Sequence, residues 1–596
     1  MKKHVLFRSA FYLFIVLGLL FIGRGTVDVI ASTIVLSDAD GEAVHELRVV
    51  PRRWKWDPEV LVVPYGALVT ININNEDTVD HGFAIREFGL DRRLPNGTET
   101  TVRFVADQEG EFEYYCSVYC GMGHFDQKGK IVVTRDDPEV VLARYRRAAA
   151  DLPVRTAAER ITRLPYTVAV DGAKEFELTA EPVLWDYGNG TVIESWGYNG
   201  QLPGPEIRVT EGDLVRITFT NHLPVATTVH WHGVDLPNAM DGVPGYTQDP
   251  VQPGESFVYE FNAHPAGTRF YHTHGSHHGD EALQMDMGLA GAFVIEPRDF
   301  DAPDVDYTMV LTERISEGAF PINGAIYPET EFIRVKEGDR VRVRMINAGS
   351  STFHPMHLHG HQFRVVATDG NPVPEAAQLV RNTLPLLPGE TYDVEFIADN
   401  PGVWLFHCHE LQHAAGGMIT AVLYEGALGG EYTLTDHMGE TVSHEDFSRG
   451  YSLVSFGYTW CPDICPATMA LKSAALNEVG DEVEARGLFF TIDPERDTPE
   501  VLAPYVEQFG NRMVGLTGSA EQVAHAARIF NIRYEAVAQS NGNYSMDHSS
   551  TIYLLGPGGE VLASFGHDTT PSRIAATVRQ HLTGGDGRPA SLEDRL

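Results

Sequence analysis

The sequence predicts a mostly β protein: three small β-sandwich domains, then an α/β domain, behind an apolar N-terminal segment. Three observations carry this. First, 596 residues is enough for three to five domains. Second, one turn-and-strand unit recurs. Val63-Pro64-Tyr65-Gly66-Ala67-Leu68-Val69, Val209-Thr210-Glu211-Gly212-Asp213-Leu214-Val215 and Val335-Lys336-Glu337-Gly338-Asp339-Arg340-Val341 each read as a tight glycine turn feeding a half-buried strand. A histidine follows each, at His81, His230 and His354. Each unit closes on an aromatic strand: Phe112 to Cys116, Phe270 to His272, and Trp404 to Cys408. A repeat of that length suits small sandwiches. Third, the pattern changes after about residue 430, where 467–479 and 499–509 read as helices between β-type runs at 453–456 and 550–555.

The predicted boundaries follow. The sandwiches occupy 40–135, 165–298 and 303–427, and the α/β domain occupies 431–583. Residues 136–164 read as a linker with a short helix at 138–150, and 584–596 as a loose polar tail. Residues 1–31 read as a targeting segment. Lys2, Lys3 and Arg8 precede an uncharged apolar run at 10–22, with the positive charges on the inner side. The run is short for a span, but counting from residue 5 to 22 reaches the needed length, with Arg8 snorkelling to the interface. Both a cleaved signal, cut near Ile30-Ala31-Ser32, and an uncleaved anchor stay open. Either places the rest of the chain in the periplasm or the cell exterior.

Composition narrows the class. The net charge is −37, from 82 acidic and 45 basic side chains, which disfavours nucleic acid as a partner. Five cysteines are too few for a disulfide scaffold. The 25 histidines are many, and they cluster.

Four segments hold the densest clusters: His230-Trp231-His232-Gly233, His272-Thr273-His274, His354-Pro355-Met356-His357-Leu358-His359, and His407-Cys408-His409 followed by His413 and Met418. An H-x-H pair on a strand puts both imidazoles on one face. Four such pairs offer eight nitrogen ligands. Imidazole suits copper, and two His, one Cys and a weak axial Met make a blue-copper centre. His354, Cys408, His413 and Met418 supply that set, while His407 and His409 face away from the Cys408 sulfur. One strand then touches two centres.

These segments, in this order, resemble the multicopper oxidases, the laccase-like enzymes, over about 165–427. The resemblance implies cupredoxin-like Greek-key sandwiches and copper as cofactor. It assigns His354, Cys408, His413 and Met418 to type 1 copper, and His230 and His357 to type 2. It assigns His232, His272, His274, His359, His407 and His409 to the type 3 pair. Asp241, in Met240-Asp241-Gly242, matches the acid that orients water and supplies protons, and Glu410 is a candidate for a second. Thr273 stands where a first-domain type 1 cysteine would be, so only the second oxidase domain carries blue copper. That pattern resembles two-domain oxidases and implies a homotrimer, with trinuclear clusters shared between subunits. The implied activity is O2 reduction to water with electrons from an unidentified donor: a cytochrome, a phenol or Cu(I). Copper nitrite reductases are related but keep their type 1 cysteine in the first domain.

Upstream, Cys116-Ser117-Val118-Tyr119-Cys120-Gly121-Met122-Gly123-His124, with His81, allows two thiolates to bridge two copper ions, each capped by an imidazole. This resembles the dinuclear CuA domain of cytochrome oxidase subunit II over about 45–135, with Trp54 and Trp56 at its aromatic positions. Val118 stands at a backbone-carbonyl ligand position, and Gln127 stands where the family has Met, with Met122 an alternative. A Cys116–Cys120 disulfide is the other reading. Downstream, Cys461-Pro462-Asp463-Ile464-Cys465, Ile492-Asp493-Pro494-Glu495-Arg496-Asp497 and His548 resemble the Sco copper chaperones, thioredoxin-like in fold, over about 431–583. Cys461, Cys465 and His548 then make a three-coordinate copper site, or Cys461 and Cys465 a redox disulfide.

Overall fold

The computed structural model describes residues 32–34, 42–50, 55–57, 60–118, 120, 127–135, 152–159, 163–188, 190–275, 280–538 and 543–582. The readings of 1–31 as signal or anchor, of a helix at 138–150, of the tail, and of Trp54, Met122 and His124 lie outside the described residues. Among the described residues no helix is long and apolar enough to cross a membrane.

The three repeats are three two-sheet sandwiches. Their turn glycines, Gly66, Gly212 and Gly338, all sit in the left-handed region, with φ of +81°, +85° and +95°. Only glycine takes that conformation without strain. The strands after them alternate: in Leu214–Asn221 every second residue is buried, as a sheet with one face in the core requires. In the first sandwich, Glu42–Val50, Leu68–Asn75 and Glu99–Val105 form one sheet, and Val60–Pro64, Lys128–Thr134, Gly110–Tyr115 and His81–Ile85 the other. In the second, Lys174–Asp186, Leu214–Asn221 and Ser256–Asn262 face Gly204–Thr210, Ala290–Glu296, Gly267–Gly275 and Thr227–His232. In the third, Val305–Leu311, Arg340–Asn347 and Thr391–Ile397 face Ile333–Val335, Ile419–Tyr424, Val403–Cys408 and His354–Leu358.

The fourth domain has a seven-stranded mixed sheet with Tyr451–Gly457 paired in parallel to Ala485–Thr491. The helices Ile464–Val479, Pro499–Glu507, Ala520–Ile529 and Pro571–Leu582 accompany it. The helices and strands predicted for this domain form, within a few residues of the expected ends.

The 136–164 linker is corrected in part. Val154–Thr156 pairs in parallel with Lys174–Asp186, and Leu164 joins the core of the second sandwich. Three residues are too few to show a strand period, so nothing local reveals this edge strand. The junction near 430 is also less abrupt than expected. Leu423, in the last strand of the third sandwich, and Leu428 pack into the α/β core.

Polar seams fix the domains to one another. Arg208 bridges Glu296 and Asp306 at 2.7 Å each, and Thr268 donates to Asp393 at 2.6 Å, joining the second and third sandwiches. On the α/β domain, buried Arg573 pairs with Glu329 and donates to the Asp186 carbonyl, and Ser564 donates to Pro328 O at 2.6 Å.

Candidate metal centres

The third sandwich holds a buried thiol between two imidazoles. Strand pairing sets Met356 opposite Cys408 and His357 opposite His407. Cys408 therefore points into the core while His407 points out. Cys408 Sγ lies 3.9 Å from His354 Nδ1 and 3.7 Å from His413 Nδ1, and the two Nδ1 atoms are 3.2 Å apart. His413 rides on the short helix Leu411–Ala415, whose first turn is capped by the Glu410 carboxylate at 2.9 Å. Phe320 stacks on its ring at 4.1 Å. Met418 is fully buried in the same cluster, and its carbonyl accepts from Cys408 N at 3.0 Å.

Burial holds His354 down to about 3 and lowers His413, so both are neutral with lone pairs open. Burial pushes the Cys408 thiol up to about 12. A buried thiol facing two neutral imidazoles fits a soft cation that would draw off its proton.

The eight remaining oxidase histidines form two quartets. In the second sandwich the His230 ring lies 5.7 Å from His232, 5.2 Å from His272 and 6.2 Å from His274. His232 Nδ1 is 3.4 Å from His272 Nε2. His230, His232 and His272 bring ligand atoms within 4.8 Å of one another. The Asp241 carbonyl holds His230 Nδ1 at 2.7 Å, and its carboxylate is 3.4 Å away, so Nε2 is free to face a metal. Gly242, at φ +81°, makes this possible, since a Cβ there would meet Val229 O at 1.9 Å.

In the third sandwich the His357 ring lies 4.7 Å from His359, 5.7 Å from His407 and 5.6 Å from His409. His359 Nε2 is 3.1 Å from His407 Nε2. This quartet opens on a cavity of about 800 Å³ that His357, His359 and His361 help to line. Among the described residues no ring contact joins the two quartets of one chain. Burial lowers His232 to about 4 and His272 to about 3, and lowers His359 and His407 as well. All four are neutral donors at ordinary pH.

Glu410 is placed differently from its reading as a second proton-relay acid. Its carboxylate lies 3.4 Å from His413 Nε2, on the Cys408 side of the strand. Glu410 caps the helix Leu411–Ala415, whose first turn brings His413 back over its carboxylate. Besides Asp241, Glu281 lies beside the first quartet, 3.3 Å from His274 Nε2, and sequence reasoning missed it. It sits on a separate short helix, Asp280–Asp286, at no recurrent spacing from the histidines.

In the first sandwich, Cys116 Sγ lies 3.8 Å from His81 Nδ1 and 3.7 Å from Cys120 Sγ. That separation is far beyond a disulfide bond of about 2 Å, and both thiols are free. Val118 O lies 3.1 Å from Cys116 Sγ, where the sequence placed a carbonyl ligand. The hydrogen bond between the thiols pulls Cys116 down, and the same contact pushes Cys120 up. Asp77, another residue missed in the sequence, holds His81 Nε2 at 3.2 Å.

In the α/β domain, Cys465 Sγ lies 3.6 Å from His548 Nε2, whose Nδ1 is fixed by Ser549 O at 2.8 Å. Cys461 Sγ accepts from Cys465 N at 3.4 Å. Of the Ile492–Asp497 segment, buried Asp497 ties the loop before the cysteines by accepting from Thr459 N at 3.0 Å, and its charge helps to push the Cys465 thiol up.

Known proteins match these regions separately. A cupredoxin-like domain matches residues 26–133, multicopper oxidase domains match 181–299 and 301–427, and SCO1/SenC matches 421–583. The human "Protein SCO1 homolog, mitochondrial" is 37% identical over 159 residues, covering 26% of this chain and 53% of that protein. "Protein sco1" of Schizosaccharomyces pombe is 34% identical over 191 residues, covering 30% of this chain and 72% of that protein. The chain thus spans about half the length of the human relative. The structure of a blue copper oxidase from Nitrosomonas europaea is 32% identical, with a TM-score of 0.38, over 42% of this chain and 85% of that one. Through its last domain the chain belongs to the SCO1/SenC family, joined to two multicopper oxidase domains and a preceding cupredoxin-like domain.

Proposed function

We propose that this protein is an exported multicopper oxidase that takes single electrons at a type 1 copper and reduces O2 to water at a trinuclear cluster. The observation that carries this is the strand Val403–Cys408: Cys408 faces His354 and His413 on one side, while His407 faces His357 and His359 on the other. Copper, when bound, supplies the one-electron acceptor and the site for oxygen reduction. His354, Cys408, His413 and Met418 hold the type 1 ion, His230 and His357 the type 2 ion, and the other six histidines the type 3 pair. Asp241 orients His230 and moves protons at its carboxylate.

A homotrimer completes the cluster, each half-buried quartet at His230 meeting the open quartet at His357 of a neighbour. Ring contacts that join histidines within each quartet, with none between the quartets among the described residues, support this. The first sandwich acts as a CuA-like entry point for electrons. The last domain, through Cys461, Cys465 and His548, supplies copper or reduces disulfides. The apolar segment at 5–22 exports the chain and either leaves or anchors it to the cytoplasmic membrane.

The test is copper analysis, optical and EPR spectra, sedimentation and O2 uptake on the same preparation. About seven coppers per chain, a blue absorption, a trimer and O2 consumption without peroxide are expected. A monomer with full activity would remove the shared cluster. A second reading, copper handling with cuprous oxidation as the activity, rests on the chaperone-like domain. It predicts Cu(I) as a far better substrate than any organic or protein donor. Nitrite reduction without O2 uptake would overturn both.

A further inference from the structure

We propose that the side-chain carbonyl of Gln127 is a copper ligand in the first sandwich. It holds that centre at a lower potential than a thioether would, so that the centre feeds the type 1 site rather than draining it. The inference rests on the CuA-like reading of this domain. Gln127 is fully buried. Its Oε1 lies 2.7 Å from His81 Nδ1 and 3.5 Å from Cys120 Sγ. Its Nε2 is buried with no partner. A polar group in that state has given up water without return, so the fold tolerates a cost to keep the amide here.

The backbone does not let the residue leave. Gln127 O accepts from Cys116 N at 3.0 Å and from Trp56 Nε1 at 3.2 Å. Because Asp77 engages His81 Nε2, the nitrogen that looks inward is Nδ1. Four donor atoms therefore converge: His81 Nδ1, Cys116 Sγ, Cys120 Sγ and Gln127 Oε1.

The identity of the fourth donor sets the direction of electron flow. An amide oxygen is hard and favours Cu(II), whereas a thioether is soft and favours Cu(I). The buried Met418 at the type 1 set is the softer donor. Both centres have cysteine sulfur, and they differ in the remaining weak donor, an amide oxygen upstream and a thioether downstream. A one-electron protein donor loses one electron to the first and the second receives it. Four such transfers, with four protons, convert O2 to two waters.

The experiment uses the copper-loaded full-length protein and a redox titration followed by EPR. In Gln127→Met the first centre should move to higher potential by at least a tenfold shift in its one-electron equilibrium, about 59 mV, with the blue centre unmoved. Gln127→Leu, which removes the oxygen without adding sulfur, should shift in the same direction and covers the case in which Gln127→Met fails to load. Unchanged potential and copper hyperfine in a loaded variant would overturn the role of Gln127 while leaving the CuA-like reading intact. If wild type and Cys116→Ser hold the same copper and give the same EPR signal, the centre itself is absent and both readings fall.

Discussion

Thr273 and Cys408 occupy matching places in successive oxidase domains, and their surroundings show what a metal pocket becomes without its metal ligands. Both are fully buried between two histidines on a strand. Both amides donate across to the start of the next strand, Thr273 to Leu289 O at 3.1 Å and Cys408 to Met418 O at 3.0 Å. Three residues before the first histidine of each pair stand Thr227 and His354. In the third sandwich the pocket keeps ligand atoms facing each other unbridged. In the second, Thr227 and Thr273 hydroxyls meet at 2.6 Å, and both reach Gln284 Oε1, at 2.7 and 2.5 Å. Hydrogen bonds thus close the space that two imidazoles and a thiol keep open. The same backbone plan thus carries a metal pocket or a hydrogen-bonded core, according to the side chains at two matched positions, 227 and 273 against 354 and 408.

Changes on the two sides should differ accordingly. Cys408→Ser removes the sulfur that joins the two centres. For the proposed oxidase it should abolish the blue absorption and cut donor-driven O2 uptake by more than about a thousandfold, or about 4 kcal/mol, with the assembly state unchanged. A Cys408→Ser protein with normal turnover would break the comparison outright.

Acid should act next. His354, His232 and His272 have folded values near 3 to 4, below the unfolded value of about 6.5. At high pH both states are neutral and nothing is lost. As pH falls below about 6.5 the unfolded chain takes up protons that the fold refuses. Stability then drops by about 1.4 kcal/mol per pH unit for each group until the folded value is reached. Copper-free protein should show a melting point that falls steadily below pH 6.5, and copper should delay the fall. A flat profile from pH 7 to 4 would contradict this.

Glu313 tests the loop before His354. Its buried carboxylate accepts from Ser351 N at 2.6 Å, Ser350 Oγ at 3.0 Å and Thr352 N at 3.2 Å, and from the Thr352 hydroxyl. Glu313→Gln turns an acceptor into a donor there, and should cost roughly 2–3 kcal/mol and broaden the blue band. The smallest effect belongs to the other pocket. Thr273→Val removes two of the three hydrogen bonds in this pocket, leaving Thr227 bonded to Gln284, and should cost about 1–3 kcal/mol in denaturant titration, without changing the blue spectrum. A changed spectrum would show that the two pockets are not independent.

Much of this was legible in order and spacing. H-x-H pairs declare a shared face because a strand's side chains alternate, so His407, Cys408 and His409 predict two faces of one strand before any fold is known. The turn glycines at 66, 212 and 338 announce the repeat because only that backbone conformation needs them. Cys116 and Cys120, and Cys461 and Cys465, mark their sites because the loops are short enough for local spacing to bring the sulfurs near.

What stayed hidden depends on how loops and cores fold. Asp77 lies four residues before His81, in the loop ahead of its strand, and Glu281 lies seven after His274, on a short helix, yet no residue pattern says that either carboxylate turns back to its histidine. Glu313 meets Ser351 from far along the chain, a pairing that strand order rather than sequence distance decides. Glu410 looked like a neighbour of the cluster and lies against His413 instead, because one helical turn redirects it. The sequence by itself determined which ligand types exist and which strands carry them. Only the tertiary structure decided that the oxidase histidines gather as neighbouring rings, four in each sandwich, and that the Gln127 amide faces the Cys120 thiol and His81. Alternation orders side chains along one strand, but distances between strands of different sheets are set by how the cores pack.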